Sequence, residues 1–306
     1  MTYAPIIKEI GRGAKGARAI GADQAQHLFG DILDGRVPDL ELGAVLIALR
    51  IKSESLAELT GFKRAIDARI ASVAVAPGAR CVVLPTYNGA RRQANLMPLI
   101  ALLLARAGVP VLIQGRHDFD TRVSPFELLA ALDIHPAASI EAAAAALAGQ
   151  RIACVPLALL LPGLDRLLDM RTRLGVRGSG HTMAKLIDPC MGRSVRVVSV
   201  THPEYLERMH EFLLDDGGRA MLLRGTEGEA FANPRRRPRM NVYLDGRAET
   251  AFDAEEGGTP PLPDLPDVPA VADNAALIRA MLAGEIPIPA PLTDQVSALV
   301  RLARAA

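Results

Sequence analysis

The fold predicted by the sequence is α/β: a small N-terminal helical domain, residues 1–73, followed by a larger domain, 78–306, whose sheet is doubly wound and mainly parallel. Two observations carry that expectation. From about Asp23 to Ala71 the pattern is continuously helical; from Arg80 onward short β-branched runs alternate with segments of helix length, the arrangement that builds a parallel sheet. A third sets the scale: 306 residues, 50% of them hydrophobic, suffice to bury a sizeable core in one large or two unequal domains.

The elements follow in order. The helical stretch breaks at "DGRVP" (34–38) and at "KSES" (52–55), where Ser55 and Glu58 have the spacing of a capping box that starts the next helix. The strand-like runs are "RCVVLP" (80–85), "VPVLIQG" (109–115), "RIACVPL" (151–157), "SVRVVSV" (194–200) and "AMLLRG" (220–225). Helix-length segments such as "PFELLAALDI" (125–134) and "SIEAAAAALAG" (139–149) lie between them. "RMNVYLDGRAETAF" (239–252) is a hairpin turning at Asp245-Gly246, a pair that accepts the positive φ angles of a tight hairpin turn. A proline-rich connector, about 255–269, leads to a last helical segment, 272–285.

Composition narrows the function classes. The formal net charge is +1, so the total does not point to a polyanionic partner, and any basic feature must come from local placement. Arginine supplies 30 of the 35 basic residues, which suits bidentate recognition of phosphate or carboxylate as well as an arginine-rich proteome. Cys81, Cys154 and Cys190 are far apart and flanked by apolar residues, as buried thiols of a reducing compartment are, and no metal-ligand spacing is present. The N-terminus has no signal-peptide core, and the apolar runs are too short to span a bilayer. A cytoplasmic protein without a membrane partner is expected.

The segment "ALRIKSESLAELTGFKRAI" (48–66) resembles the N-terminal domain of the anthranilate phosphoribosyltransferase family, which reads Leu-Arg-x-Lys-Gly-Glu-Thr here. The resemblance continues through "ARAGVPVLIQG" (105–115), similar to Ala-Gly-Val-Pro-Val-x-Lys-His-Gly, through "RTRLGVR" (171–177), and into the segment 272–285. It implies a phosphoribosyltransferase/nucleoside phosphorylase-like fold, a helical domain completed by part of 163–190 and used for dimerisation, and a cleft that in the family holds phosphoribosyl pyrophosphate and magnesium.

The departures from that pattern carry the functional argument. Where the family has Gly-Thr-Gly-Gly-Asp after the first strand, this chain has "PTYNG" (85–89): Pro85 has no N–H to donate and Tyr87 adds bulk where a pyrophosphate approaches the backbone. Asn95 survives, but Met97 and Pro98 replace the hydroxyl residues that follow it, and Ile113, Gln114, Gly115 and Arg116 replace Lys-His-Gly-Asn. "LLRGTEGEAF" (222–231) places Ala230 and Phe231 at the family's adjacent magnesium-binding acids, and neither offers the hard oxygen that magnesium needs. These substitutions resemble the nucleic-acid-binding YbiB-like subgroup, which is regarded as lacking the transferase reaction.

The resemblance and the arginines together select a candidate interface. In a doubly wound sheet, loops leaving the carboxyl ends of the strands converge at the switch point, which would gather Arg91, Arg92, Arg116, Arg122, Arg171, Arg177, Lys185, Arg224, Arg235, Arg236, Arg237 and Arg239 into one groove. Tyr87 and Phe119 are the candidates for stacking on unpaired bases. The expected function is largely sequence-independent binding of DNA or RNA through phosphates, by a homodimer, with no catalytic residue, cofactor or metal. The alternative is a diverged, magnesium-dependent phosphoribosyltransferase using Glu227 and Glu229 as a shifted metal site.

Overall fold

The computed structural model of the chain describes residues 2–13, 15–117, 122–257 and 270–305. It divides into two compact units, Met1–Ala71 with Leu157–Ile187, and Ser72–Pro156 with Asp188–Ala306. In chain order the first unit opens with α1 (Ala4–Ile10), α2 (Ala22–Leu33), α3 (Asp39–Lys52) and α4 (Leu56–Asp67). The second follows with β1 (Cys81–Thr86), α5 (Met97–Arg106), β2 (Val111–Gly115), α6 (Pro125–Ala131), α7 (Ile140–Gln150) and β3 (Ile152–Pro156). The chain then returns to the helical unit as α8 (Leu157–Leu160), α9 (Pro162–Asp169), α10 (Arg171–Leu174) and α11 (Ser179–Met183). It ends in the second unit with β4 (Ser194–Val200), α12 (Pro203–Asp216), β5 (Arg219–Thr226), β6 (Glu229–Ala232), β7 (Met240–Leu244), β8 (Arg247–Phe252), α13 (Val271–Ala283) and α14 (Ala290–Arg304).

In the helical unit α2 and α4 pack through Phe29 and Phe62, whose stacked rings lie 4.5 Å apart between centroids. The capping box forms at the start of α4: Glu58 N–H donates to Ser55 Oγ at 3.2 Å and Ser55 N–H donates to Glu58 Oε2 at 2.8 Å. The same buried carboxylate also accepts from Ile20 N–H at 3.1 Å and from Lys52 Nζ at 2.6 Å. One acid therefore ties α4 to the chain before α2 and to the end of α3, with its lone pairs satisfied as burial demands.

The second unit is built on a sheet in the order β3-β2-β1-β4-β5-β7-β8, with β6 pairing β5 off that path. From β3 to β5 the pairs are parallel, and β7, β8 and β6 are antiparallel to their neighbours. The doubly wound, mainly parallel fold expected from the alternation is thus present, and the hairpin turns at Asp245-Gly246 with φ of 49° and 78°. All six residues of β1 and all seven of β4 are buried, as central strands covered on both faces must be.

Two elements differ from the sequence reading. A further helix, α14, follows the segment expected to be last; Pro289 and Pro291 lie at its start, where a missing N–H leaves no hydrogen bond unmade, so prolines that look like breakers are initiators. The stretch after β5 is a hairpin, β5–β6, whose second strand is not among the strand-like runs; Glu227 and Gly228 both take positive φ, 51° and 90°, at its turn. The three cysteines are buried and unbridged, and burial pushes the Cys154 thiol up to about 12. Among the described residues no helix is long and apolar enough to cross a membrane. Of the connector 255–269, residues 258–269 lie outside the described residues.

Candidate functional site

The strand order reverses between β1 and β4, since the chain winds from β1 out to β2 and β3 and from β4 out to β5. The loop after β1 therefore leaves the sheet at the switch point, where open α/β sheets bind ligands. Its inner wall is the β5–β6 hairpin. Glu229, the first residue of β6, is fully buried and accepts from Thr86 Oγ1 at 2.7 Å and from the backbone N–H groups of Asn88 and Gly89 at 2.9 and 3.0 Å. Glu227, at the hairpin tip, accepts from Arg92 N–H at 2.9 Å and from Arg91 N–H at 3.3 Å. Four backbone donors of a loop that could cradle an anion are turned onto two carboxylates of the same chain.

Close packing holds this arrangement. A Cβ on Gly228 would stand 2.1 Å from Asn88 Nδ2, and Ser199 Oγ on β4 donates to the Gly228 carbonyl at 3.0 Å. Gly89 has φ of 64°, and a Cβ there would lie 2.7 Å from the Val123 carbonyl. The far side of the loop is a bridge between Ala90 and Val123, with N–H to carbonyl distances of 3.0 and 2.8 Å in the two directions. Asn95 closes it, donating to the Val123 carbonyl at 3.2 Å and accepting from Met97 N–H at 3.2 Å, while its own N–H donates to Asn274 Oδ1 at 2.9 Å.

The residues present do not fit magnesium. Ala230 and Phe231 are fully buried within the hydrophobic core, where a carboxylate would be stranded among apolar side chains. The open edge of β6 is sealed by Gln295 of α14, which accepts from Ala232 N–H at 2.8 Å and donates to the Ala230 carbonyl at 3.0 Å. Among the described residues no group of three or more His, Cys, Asp or Glu is placed to hold a metal ion.

The predicted basic residues fall into two sets. Arg91, Arg92, Arg116, Arg122, Arg224 and the run 235–239 belong to the sheet unit; Arg171, Arg177 and Lys185 belong to the helical unit. In the sheet unit Arg91 and Arg92 are exposed on the β1 loop, Arg116 follows β2, and Arg122 lies against Gly89. The antiparallel register pairs Leu223 with Met240, so exposed Arg224 and Arg239 leave the same end of the β5–β7 pair.

The run 235–239 splits. Arg235 is exposed, with its backbone N–H on Asn233 Oδ1 at 2.9 Å. Arg236 donates to the Gly257 carbonyl, and Arg239 to Asn241 Oδ1 at 3.2 Å and Thr250 Oγ1 at 2.7 Å. Arg237 is a brace: its Nη1 meets Asp294 Oδ2 at 2.6 Å, its Nε donates to the Asp253 carbonyl at 3.0 Å, and it lies over the Phe252 ring. A guanidinium so engaged within its own chain is a poor phosphate ligand.

One stacking candidate is corrected. Tyr87 is 5% exposed and its hydroxyl donates to Gln114 Oε1, so its ring is part of the core and presents no face to a base. Phe119 lies outside the described residues. In the helical unit His181 is held down to about 3, first by burial and then by the Arg177 and Arg171 guanidinium groups, so this histidine is neutral beside a cationic cluster. The sequence reading missed the structural roles of Glu227, Glu229 and Gln295. Gly228, a turn residue between two apolar runs, was the available clue for the first two.

Comparisons with known proteins agree with this geometry at the level of fold. A domain described as "Glycosyl transferase family, helical bundle domain" matches residues 4–70. The chain is 42% identical over 300 residues to "Uncharacterized protein YbiB" of Escherichia coli (strain K12), covering 97% of this chain and 93% of that one. It is 27% identical over 278 residues to the anthranilate phosphoribosyltransferase of Novosphingobium aromaticivorans, covering 86% and 80% of the two chains. Among solved structures, anthranilate phosphoribosyltransferase from Thermus thermophilus superposes with a TM-score of 0.74 at 23% identity, covering 97% of this chain and 88% of that one. The Saccharomyces cerevisiae enzyme in complex with PRPP and Mg gives 0.73 at 12% identity, covering 98% and 88%.

Proposed function

Because this chain belongs to the family of Escherichia coli YbiB, built on the anthranilate phosphoribosyltransferase fold, we propose that it is a non-catalytic protein that binds DNA or RNA through the phosphate backbone. The observation that carries the reading is the occupation of the β1 loop by Glu229 and Glu227. Donors that would otherwise cradle a sugar pyrophosphate are taken, the magnesium positions hold Ala230 and Phe231, and exposed Arg91, Arg92, Arg224, Arg235 and Arg239 remain in the same unit. Arg116 and Arg122, and Arg171, Arg177 and Lys185 of the helical unit, extend the set of proposed phosphate contacts. Nothing in the described fold resembles a base-reading element, so contacts to phosphate dominate and sequence preference is weak.

Fluorescence anisotropy with labelled single-stranded and duplex oligonucleotides of random sequence tests this at several salt concentrations. Each neutralised phosphate is expected to contribute about 0.9 to the slope of log K against log salt on duplex and about 0.7 on single strands. Affinity no better than micromolar at low salt, or a flat salt response, would exclude it. The transferase alternative needs Glu227 and Glu229 to abandon their backbone donors and bind magnesium. Calorimetric titration with phosphoribosyl pyrophosphate and magnesium distinguishes the two readings, with no metal-dependent heat expected here.

The working unit is proposed to be a cytoplasmic homodimer formed through α3. That helix exposes Leu40 (82%), Ile47 (36%) and Ile51 (66%) in one stripe, an apolar face a monomer would not leave to water. It carries Asp39 and Glu41 in its first turn and Arg50 in its last, so antiparallel pairing about a two-fold axis opposes unlike charges. Analytical ultracentrifugation of Ile51→Glu should show monomers where the unaltered protein shows dimers.

A further inference from the structure

We propose that Glu227 is an internal stand-in for phosphate: its carboxylate fills an anion site made by the backbone N–H groups of Arg91 and Arg92, and a phosphate of a bound nucleic acid displaces it. The inference deepens the nucleic-acid reading above and rests on it. Its evidence is the contrast between the two glutamates of one hairpin. Glu229 is fully buried and holds Thr86, Asn88 and Gly89 at 2.7 to 3.0 Å. Glu227 is partly exposed; both of its oxygens share the Arg91 N–H at 3.3 Å, and only the Arg92 N–H, at 2.9 Å, is at an ordinary distance. The first is a fixture, and the second is held loosely.

Two further features make Glu227 a group that can leave. It occupies the hairpin tip with φ of 51°, a geometry set by the backbone turn, so its carboxylate can let go of the β1 loop without a change in the hairpin. Arg91 and Arg92, whose N–H groups it holds, are both exposed to solvent. A phosphate entering from solvent would meet two adjacent N–H donors and two guanidinium groups, the donor set that recognises phosphate oxygens. The charge that holds these two N–H donors, and that a phosphate would have to displace, is that of Glu227.

The consequence is selectivity for polyanions. A lone phosphate must displace Glu227 for the sake of one site, whereas a nucleic acid held at other arginines presents its next phosphate at high effective concentration. Glu227 therefore screens out inorganic phosphate and mononucleotides and yields to a chain. Removing its charge while keeping its shape, as Glu227→Gln does, should admit small anions and tighten polyanion binding roughly tenfold, the scale of one like-charge contact near a protein surface.

The experiment uses the full chain, unaltered and as Glu227→Gln, with two readouts: backbone amide shifts of Arg91 and Arg92 by NMR during titration with inorganic phosphate, and oligonucleotide affinity by anisotropy. The expected result is that phosphate moves both amides in the variant at concentrations that leave the unaltered protein unmoved, and that oligonucleotide affinity rises. If oligonucleotide binds both forms equally and the amides stay still, Glu227 is only a brace and the inference falls while the nucleic-acid reading stands. If no oligonucleotide binds either form but phosphate moves the variant's amides, the anion site stands and the nucleic-acid reading falls. If nothing binds, both fall. Should Glu227→Gln not fold, the unaltered protein decides: oligonucleotide that binds without moving the Arg91 and Arg92 amides overturns the inference.

Discussion

The β5–β6 hairpin and the arginine run that follows it handle charge in opposite ways. The hairpin turns its acids onto the donors of the β1 loop, so that Glu229, though fully buried, accepts from Thr86 Oγ1 and from the Asn88 and Gly89 N–H groups. The run at 235–239 turns some of its guanidinium groups onto carbonyls and carboxylates, as at Arg236 and Arg237, and leaves Arg235 to solvent. The difference teaches that a near-neutral chain can carry a local positive surface by hiding its negative charges rather than by adding arginines. A carboxylate held by backbone N–H groups keeps its charge but is fixed in place, and a net charge of +1 does not show where such acids and the exposed arginines stand.

The strongest way to break the comparison is Glu229→Ala. It would leave Thr86 Oγ1 and the N–H groups of Asn88 and Gly89 buried without an acceptor, and roughly 3 to 5 kcal/mol of stability should be lost in urea unfolding. Glu229→Gln, which keeps one acceptor oxygen, should lose less. If Glu229→Ala were as stable as the unaltered protein, the view of this carboxylate as the anchor of the β1 loop would be wrong. Gln295→Ala comes next: the Ala232 N–H and the Ala230 carbonyl lose their partner at the edge of β6, at a cost of about 2 to 3 kcal/mol on the same assay.

These sites mark the boundary of what was legible. The strands could be read because central parallel strands are continuous apolar runs, and the start of α4 because Ser55 and Glu58 are three residues apart and bond each other locally. That Ala230 and Phe231 carry no side-chain oxygen to offer a metal was legible too. Which partner a charged group finds was not. Glu229 and Asn88 are 141 residues apart, and Arg237 and Asp294 are 57 apart; pairing over such distances is set by sheet order and helix packing, not by spacing. Tyr87 could be read as a loop packing residue as well as a stacking candidate, but its partner Gln114, 27 residues on, could not be read from spacing.

The helical unit supplies a control in which charge is excluded instead of paired. His181 is held near 3 by burial and by Arg177 and Arg171, against an ordinary value of 6.5, so the folded form binds its proton less readily than the unfolded chain. Its stabilising contribution is therefore complete above about pH 6.5 and declines as pH falls toward 3, by up to about 1.4 kcal/mol per pH unit for one proton. Thermal unfolding between pH 7 and pH 5 should show this slope, and His181→Gln should reduce it. An unchanged slope in the variant would assign the acid sensitivity elsewhere.

The smallest effects sharpen the comparison most, because they separate two arginines only two residues apart. Arg237→Ala removes a partly buried bond to Asp294 and should cost about 1 kcal/mol of stability, while the salt dependence of oligonucleotide binding stays as it was. Arg235→Ala removes an exposed side chain and should change stability by less than about 0.5 kcal/mol. If Arg235 contacts a phosphate, the same substitution should lower the salt slope by about 0.9 on duplex, the share of one released counterion. Neighbouring residues of the same type would then differ in opposite readouts, which a general loss of positive charge would not produce. Equal effects of the two substitutions on both readouts would mean that the run acts as a diffuse charge and that the bond from Arg237 to Asp294 is irrelevant to how the surface works.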